Sequence, residues 1–104
     1  MGNSFNELEM AQQLQLEKKW VQAENAYKKI LLETPNDAKA HHFLGLLYLQ
    51  TVHYDKALPE LKLACSLEPS EPYMHNNLAN AYKKTAQIEK AIEHYSSAID
   101  LKPN

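Results

Sequence analysis

A pattern that recurs every 34 residues constrains the fold of this 104-residue chain more than any other feature. Pro35, Pro69 and Pro103 mark the interval. Four further columns recur in the same register: Ala11, Gly45 and Ala79; Ala23, Ala57 and Ala91; Tyr27, Leu61 and Tyr95; and Ile30, Ala64 and Ala98. Columns in register at one interval indicate an internal repeat, in which each unit buries its apolar face against its neighbours.

Residues 72–104 predict two amphipathic helices. The second carries apolar residues at the spacing of a single helix face: Ile88, Ala91, Ile92, Tyr95, Ala98 and Ile99. Pro103 is predicted to end this helix, because proline has no N–H to donate and its ring clashes with the preceding turn. Since the same pattern occurs twice upstream, the chain is predicted to be all-α with about six helices.

These columns resemble the tetratricopeptide repeat (TPR) family, whose unit of about 34 residues is a helix–turn–helix with small residues, aromatic residues and a late proline at fixed positions. The resemblance implies a right-handed α-α superhelix, a TPR solenoid, of three helix–turn–helix repeats. They occupy residues 4–37, 38–71 and 72–104 of a single domain, 1–104. The third repeat is also similar to repeats in the arms of O-linked N-acetylglucosamine transferases and related bacterial proteins.

Composition argues against several classes of partner. The net charge is −2 and all eleven basic residues are lysines, whereas arginine is the usual choice for contacts to phosphates and base edges. We therefore expect no nucleic-acid partner. No apolar run approaches the ~18 residues of a membrane span and no signal peptide is visible, so we expect no membrane association and a cytoplasmic location. Cys65 is the single cysteine and is predicted to be a small buried apolar residue.

Sequence signals for catalysis are absent: the chain has no glycine-rich phosphate loop and no His-Glu-x-x-His motif. We therefore expect no catalytic residues and no cofactor. His41 and His75 share one repeat column, and His42 directly follows His41. This spacing does not place two metal ligands on one helix face. No metal site is expected. His53 and His94 are predicted to lie on the surface.

The TPR resemblance implies that the first helix of each repeat lines a concave groove where partners bind. The residues at the groove positions that we predict to bind a partner are Leu8, Gln12, Lys39, His42, Phe43, Leu46, Leu49, Tyr73, Asn76, Asn77, Asn80, Lys83 and Lys84. The same positions also hold Phe5, Glu9, Gln15, Leu16 and Gln50.

Three features of this set suggest a peptide groove. Phe43, Leu46 and Leu49 form an apolar strip that misses the core-facing stripe of its helix. The strip lies beside an amide row that can hydrogen-bond both the N–H and the C=O of an extended peptide, and two lysines lie at one end. The alternative is that curvature of the stack buries Phe43 and Leu46 and leaves nothing to bind.

Two specialised binding modes of the family do not fit. The carboxylate clamp for chaperone C-termini needs lysine and asparagine on the first helix, asparagine on the third, and lysine with lysine or arginine on the fifth. None of the residues at these positions matches: Leu8, Gln12, Phe43, Tyr73 and Asn77. The asparagine ladder of the sugar-transferase arms is matched by Asn77 alone, since Glu9 and Phe43 occupy the equivalent positions upstream.

Several local expectations accompany this fold. Ser4 is a plausible N-cap for the first helix, and Asp37 for the third. Gly45 is expected to let two helices approach closely, and Pro59 to distort its helix locally around Asp55–Pro59. Trp20 shares a column with core positions and is predicted to be core rather than a ligand platform.

The predicted function is non-enzymatic protein–protein interaction, with a peptide or partner segment bound in the groove. One alternative is the TPR interaction arm of a larger glycosyltransferase- or methyltransferase-like enzyme. Another is a self-associating structural module. Because no polar capping helix follows the third repeat in this sequence, a homo-oligomer formed through that uncapped repeat is a further expectation.

Overall fold

The computed structural model describes residues 6–102. It contains six α-helices, and no strand occurs in that range. Their bounds are α1 Glu7–Leu16, α2 Trp20–Glu33, α3 Ala38–Gln50, α4 Tyr54–Leu67, α5 Pro72–Lys84 and α6 Ile88–Leu101. The predicted all-α class is confirmed.

The helices stack as three antiparallel pairs. Each helix packs against the next one in the chain, and α3 also contacts both α1 and α5. The odd-numbered helices therefore lie side by side along one surface, while the even-numbered helices form the other layer of the right-handed superhelix. The resulting particle is elongated, with extents of 46 × 28 × 23 Å.

The helix starts follow capping chemistry. The Asp37 carboxylate accepts a hydrogen bond from the Ala40 amide at 3.1 Å and caps α3 as predicted. Pro72 is the first residue of α5, where its missing N–H has no cost. Ser4 lies outside the described residues, and α1 is instead capped by Asn6, whose Oδ1 accepts from the Leu8 amide at 2.8 Å.

The turn within each helix pair repeats the same backbone conformation. Lys18, Val52 and Ala86 each have a left-handed φ of about +60°, at 61°, 63° and 62°. The next residue in each turn then donates its amide back to a carbonyl of the preceding helix, as in His53 N–H to Tyr48 O at 2.8 Å. This is the geometry by which helices commonly end at a glycine, but here none of the three residues is glycine.

The repeat columns form the core. All three members of the Ala23, Ala57 and Ala91 column are buried. α3 and α4 approach closely at Gly45: a Cβ added there would lie 2.6 Å from Cγ and 2.7 Å from Cδ2 of Leu61, which is fully buried. The close approach predicted at this glycine is confirmed.

Pro59 does not interrupt its helix. α4 is α-helical from Tyr54 to Leu67. The local distortion expected around Asp55–Pro59 stays a prediction. The carbonyl that loses its amide partner to Pro59 belongs to Asp55, which is exposed and therefore accessible to water.

Candidate functional site

An apolar cavity lies where α1, α2 and α3 meet. It has a volume of about 440 Å³ and is called the α1–α3 cavity below. Its lining residues are Gln12, Gln15, Leu16, Lys18, Trp20, Phe43, Leu46 and Gln50. Six of these eight residues were assigned to groove positions from the sequence: Gln12, Gln15, Leu16, Phe43, Leu46 and Gln50.

A buried amide fixes the polar wall of this cavity. Gln15 is 6% exposed, and its Oε1 accepts a hydrogen bond from the Tyr27 hydroxyl at 2.5 Å. Its Nε2 donates to Oε1 of Gln50 at 2.8 Å, which joins α1 to α3. Because Gln15 is held at both ends, the exposed amide of Gln50 presents its remaining hydrogen-bonding groups in a defined orientation.

The apolar strip is half-buried. Phe43 and Leu49 pack on the core cluster, whereas Leu46 does not. Full burial, the alternative considered for Phe43 and Leu46, is wrong. Leu49 does not line the α1–α3 cavity, so the strip divides between cavity and core.

Trp20 was predicted to be core rather than a ligand platform, and the structure modifies this prediction. Its side chain is half-buried and packs on the core cluster, but it also lines the α1–α3 cavity together with Lys18. Both residues come from the turn and helix start after α1. The assignment of groove positions to the first helices alone could not find them.

His42 was predicted to face the groove but is 1% exposed. Its ring lies between the edges of Phe43 and Tyr73, with ring centroids 5.0 and 4.8 Å away. Asn77 donates from Nδ2 to its Nε2 at 3.1 Å. Burial lowers the pKa of His42 to about 4. His42 therefore supports the wall between α3 and α5 and is not available to a partner.

The amide row is partly occupied by internal bonds. Asn80 accepts a hydrogen bond from the Tyr95 hydroxyl, and Asn77 is committed to His42. Asn76 is exposed. The two predicted lysines at the end of α5, Lys83 and Lys84, are also exposed.

The remaining predicted residues lie away from the cavity. Leu8 is half-buried and packs on the core cluster. Lys39 and Tyr73 line a separate cavity of about 240 Å³ between the starts of α3 and α5, beside Glu68 and Glu71. Phe5 lies outside the described residues.

A second group of functional side chains was missed from the sequence. Cys65 on α4, His75 on α5 and His94 on α6 form a cluster, called the Cys65 cluster below, in which one ligand atom from each lies within 4.8 Å of the others. His94 is half-buried rather than a surface residue. Burial raises the pKa of the Cys65 thiol, and burial followed by the nearby His75 lowers the pKa of His94.

The same repeat columns form a contact in the preceding repeat. One repeat upstream of His75, His94 and Cys65 stand His41, Glu60 and Leu31. His41 and Glu60 are in contact, with Nδ1 and Oε1 2.6 Å apart. A contact between those two columns in one repeat predicts the same contact in the next.

Across residues 6–102, no helix has the length and apolar character needed to cross a membrane.

Comparison with known proteins identifies the same helical repeat. Two family models described as tetratricopeptide repeat match residues 38–71 and 72–104. A protein O-mannosyl-transferase of Mus musculus is 27% identical over 101 residues, which cover 93% of this chain and 11% of that protein. The peroxisomal targeting signal receptor of Candida albicans is 30% identical over 67 residues, covering 64% of this chain and 11% of the receptor.

A solved structure shows the same stacking. The O-GlcNAc transferase of Thermobaculum terrenum superposes with a TM-score of 0.89 at 31% identity, covering 94% of this chain and 19% of that chain. The chain thus spans about a tenth to a fifth of the length of these three proteins.

Proposed function

We propose that this chain, which belongs to the tetratricopeptide repeat family, is a non-enzymatic interaction module that binds a peptide segment of a partner protein in the α1–α3 cavity. The observation that carries the proposal is the cavity itself, which combines an apolar lining with amides held in fixed orientation. The free thiol of Cys65 suits a reducing compartment, so we propose that the protein acts in the cytoplasm.

The lining defines the peptide. Leu16, Trp20, Phe43 and Leu46 offer apolar and aromatic surface, which favours an apolar side chain as the anchor. The amides at the rim can pair with the backbone N–H and C=O groups beside that anchor. Lys18 adds a positive charge at the edge, which favours an acidic residue next to the anchor. The similarity to a targeting signal receptor supports the peptide as the class of ligand.

The test is a selection of peptides from a displayed random library on the purified chain, followed by affinity measurements in solution. Leu46→Glu places a charge in the cavity without touching the core cluster. Leu32→Glu is the matched control, because Leu32 is 84% exposed on α2 and lines no described cavity. Circular dichroism checks that both variants stay helical.

Loss of one buried apolar contact is worth about 1.5–3 kcal/mol, so Leu46→Glu is expected to weaken the selected peptides by at least about tenfold. The control should bind as wild type does. Equal binding by the two variants, or no enrichment of any peptide family, would count against the cavity as the site.

A second candidate function is an interaction arm within a larger enzyme. It is favoured by the similarity to an O-mannosyl-transferase and an O-GlcNAc transferase, of which this chain spans 11% and 19%. The mass of the endogenous protein, detected with an antibody raised against this chain, separates the two. A product far heavier than 11.9 kDa with glycosyltransferase activity supports the arm, and a product near that mass excludes it.

A third candidate is self-association through α6, which exposes three isoleucines: Ile88 at 50%, Ile92 at 58% and Ile99 at 71%. The occupant would be a second copy of the chain. Its test is argued in the Discussion.

A further inference from the structure

The Cys65 cluster brings a thiol and two imidazoles together from three different helices. Cys65 Sγ lies 3.3 Å from Nδ1 of His75, and the Nδ1 atoms of His75 and His94 are 3.0 Å apart. Cys65 is 6% and His75 9% exposed, while His94 is half-buried. Sulfur and imidazole nitrogen at such distances are the donor set of a transition-metal site.

The tautomer of His75 is fixed by the backbone. Its Nε2 lies 2.7 Å from the carbonyl oxygen of Pro69, which can only accept, so Nε2 carries the proton. Neutral His75 therefore turns the lone pair of Nδ1 towards the thiol and His94. Metal-binding histidines show the same arrangement, in which the second ring nitrogen donates to a carbonyl or carboxylate and so orients the ring.

The preceding repeat shows what the same positions do without these ligands. His41 also meets a proline carbonyl through Nε2, at 2.7 Å from Pro35 O, but its Nδ1 faces the Glu60 carboxylate. There the Nδ1 atom pairs with a carboxylate oxygen 2.6 Å away. In the third repeat a histidine replaces the carboxylate and a cysteine replaces Leu31, so both neighbours of His75 Nδ1 are metal-binding side chains.

We propose that Cys65, His75 and His94 bind a thiophilic transition-metal ion, with Zn²⁺ as the reference ion, through Sγ and the two Nδ1 atoms. Metal–ligand distances of about 2.3 Å for sulfur and about 2.0–2.1 Å for nitrogen place tetrahedral ligand atoms roughly 3.3–3.6 Å apart. The two short separations in the cluster, 3.3 and 3.0 Å, lie within a few tenths of an ångström of that requirement. Ca²⁺ and Mg²⁺ prefer oxygen ligands and do not suit this set.

Ion binding requires defined proton movements. The Cys65 thiol releases its proton to solvent and binds as thiolate, and both His75 and His94 bind as neutral rings with the proton on Nε2. Three protein ligands leave the fourth tetrahedral position for water. A cavity of about 250 Å³, lined also by Lys62, Ser66 and Tyr82, gives solvent access to that position.

The bound ion would connect α4, α5 and α6, and hence the second helix pair to the third. Because an ion that binds the folded chain in preference to the unfolded chain stabilises it, Zn²⁺ is expected to raise the melting temperature and to fix the angle between these two pairs. This role is separate from the α1–α3 cavity, so the site stands or falls independently of the peptide proposal.

The test uses tag-free protein, because a histidine tag binds the same ions. Zn²⁺ affinity and stoichiometry are measured by calorimetry, and Co²⁺ is used as a spectroscopic probe of thiolate ligation and tetrahedral geometry. The variants are Cys65→Ser and His94→Gln. His53→Gln is the matched control, because His53 is an exposed histidine outside the cluster.

We expect one ion per wild-type chain, a thiolate-to-cobalt charge-transfer band, and at least a tenfold loss of Zn²⁺ affinity in both cluster variants. The control should bind like wild type. The Co²⁺ spectrum of wild type tests the proposal even if a variant unfolds. Absence of the charge-transfer band, or Zn²⁺ affinity unchanged by Cys65→Ser and His94→Gln, overturns the proposal.

Discussion

Asn77 of α5 donates a hydrogen bond from Nδ2 to Nε2 of His42 on α3, across 3.1 Å, and so requires the buried imidazole to be neutral. The proton of that neutral ring is then on Nδ1, which has no hydrogen-bond partner among residues 6–102. A second proton would remove the acceptor of Asn77 and bury a charge beside Phe43 and Tyr73.

This contact predicts a loss of stability in acid. Burial lowers the folded-state pKa of His42 to about 4, whereas an unfolded histidine titrates near 6.5. Below about pH 6.5 the unfolded state takes up a proton that the folded state does not, so the unfolding free energy falls with pH until about pH 4. The full contribution is on the order of 3 kcal/mol. Urea denaturation at a series of pH values measures it.

His42→Leu isolates this contribution from the other titrating groups. The variant loses the buried imidazole, so its stability should fall less steeply than that of wild type between about pH 6.5 and about pH 4. Parallel curves for the two proteins would show that protonation of His42 is not linked to folding.

Gly45→Ala is predicted to destabilise the chain despite the better helix propensity of alanine. The propensity gain is about 1 kcal/mol, but the new methyl group would lie 2.6 Å from Cγ of Leu61, whose side chain is fully buried. Overpacking of a core usually costs about 1–3 kcal/mol, so after the propensity gain a net loss of up to about 2 kcal/mol is expected in chemical denaturation.

The same column supplies the control. Ala11 and Ala79 occupy the equivalent positions of the other helix pairs and are fully buried without a clash. Ala79→Gly should therefore also destabilise, by about 2 kcal/mol, because it loses about 1 kcal/mol of helix propensity and about 0.8 kcal/mol from the burial of one methyl group. A more stable Gly45→Ala protein would mean that α4 can move away from α3 at little cost.

Val52→Gly is predicted to stabilise the chain. Val52 is a β-branched residue at a φ of 63°, a conformation that costs an L-residue about 1–2 kcal/mol. Glycine removes that cost but loses more chain entropy on folding, which leaves a net gain of about 0.5–1 kcal/mol. Thermal and urea denaturation of the variant measure it.

The matched control is the same substitution in a regular helix. Val21→Gly changes a 70%-exposed valine near the start of α2 and should destabilise by roughly 0.5 kcal/mol through lower helix propensity. If both variants lose stability equally, the left-handed turn at Val52 is not strained.

The fold was predictable because it depends on spacing. A column of small residues every 34 positions, such as Ala23, Ala57 and Ala91, predicts where helices pack closely, and this prediction needs only the spacing within the sequence. The close contact at Gly45 followed from the same logic, since a glycine inside a helix must be offset by packing. Both predictions are confirmed by burial and distance.

The candidate site was less predictable because it depends on how units are rotated against each other. His42 fits a groove position by number, yet its buried ring packs edge to face against Tyr73 of α5, with ring centroids 4.8 Å apart. The Cys65 cluster draws its members from three helices, so no spacing within one helix could reveal it. The equivalent contact between His41 and Glu60 in the preceding repeat is likewise seen only in the structure.

The isoleucines of α6 predict weak self-association through a second copy of the chain. Ile92 and Ile99 are 58% and 71% exposed, whereas the residues one repeat earlier on α4 are half-buried (Leu58) and buried (Cys65). On α4 these positions are covered by α5 of the next helix pair. The equivalent face of α6 carries the same apolar pattern, which is typical of a surface that another helix pair covers. A few side chains bury far less than the ~1,200 Å² of a stable interface, so a dimer that forms only at high concentration is expected.

Sedimentation equilibrium across a wide concentration range tests this expectation. The average mass of wild type should rise with concentration, whereas Ile92→Asp with Ile99→Asp should remain monomeric because two charges would be buried in the contact. Leu32→Asp, an 84%-exposed leucine on α2, is the control and should associate like wild type. If wild type keeps the mass of a single 11.9 kDa chain at the highest concentration, the α6 face does not pair with itself, and its isoleucines await a different partner helix.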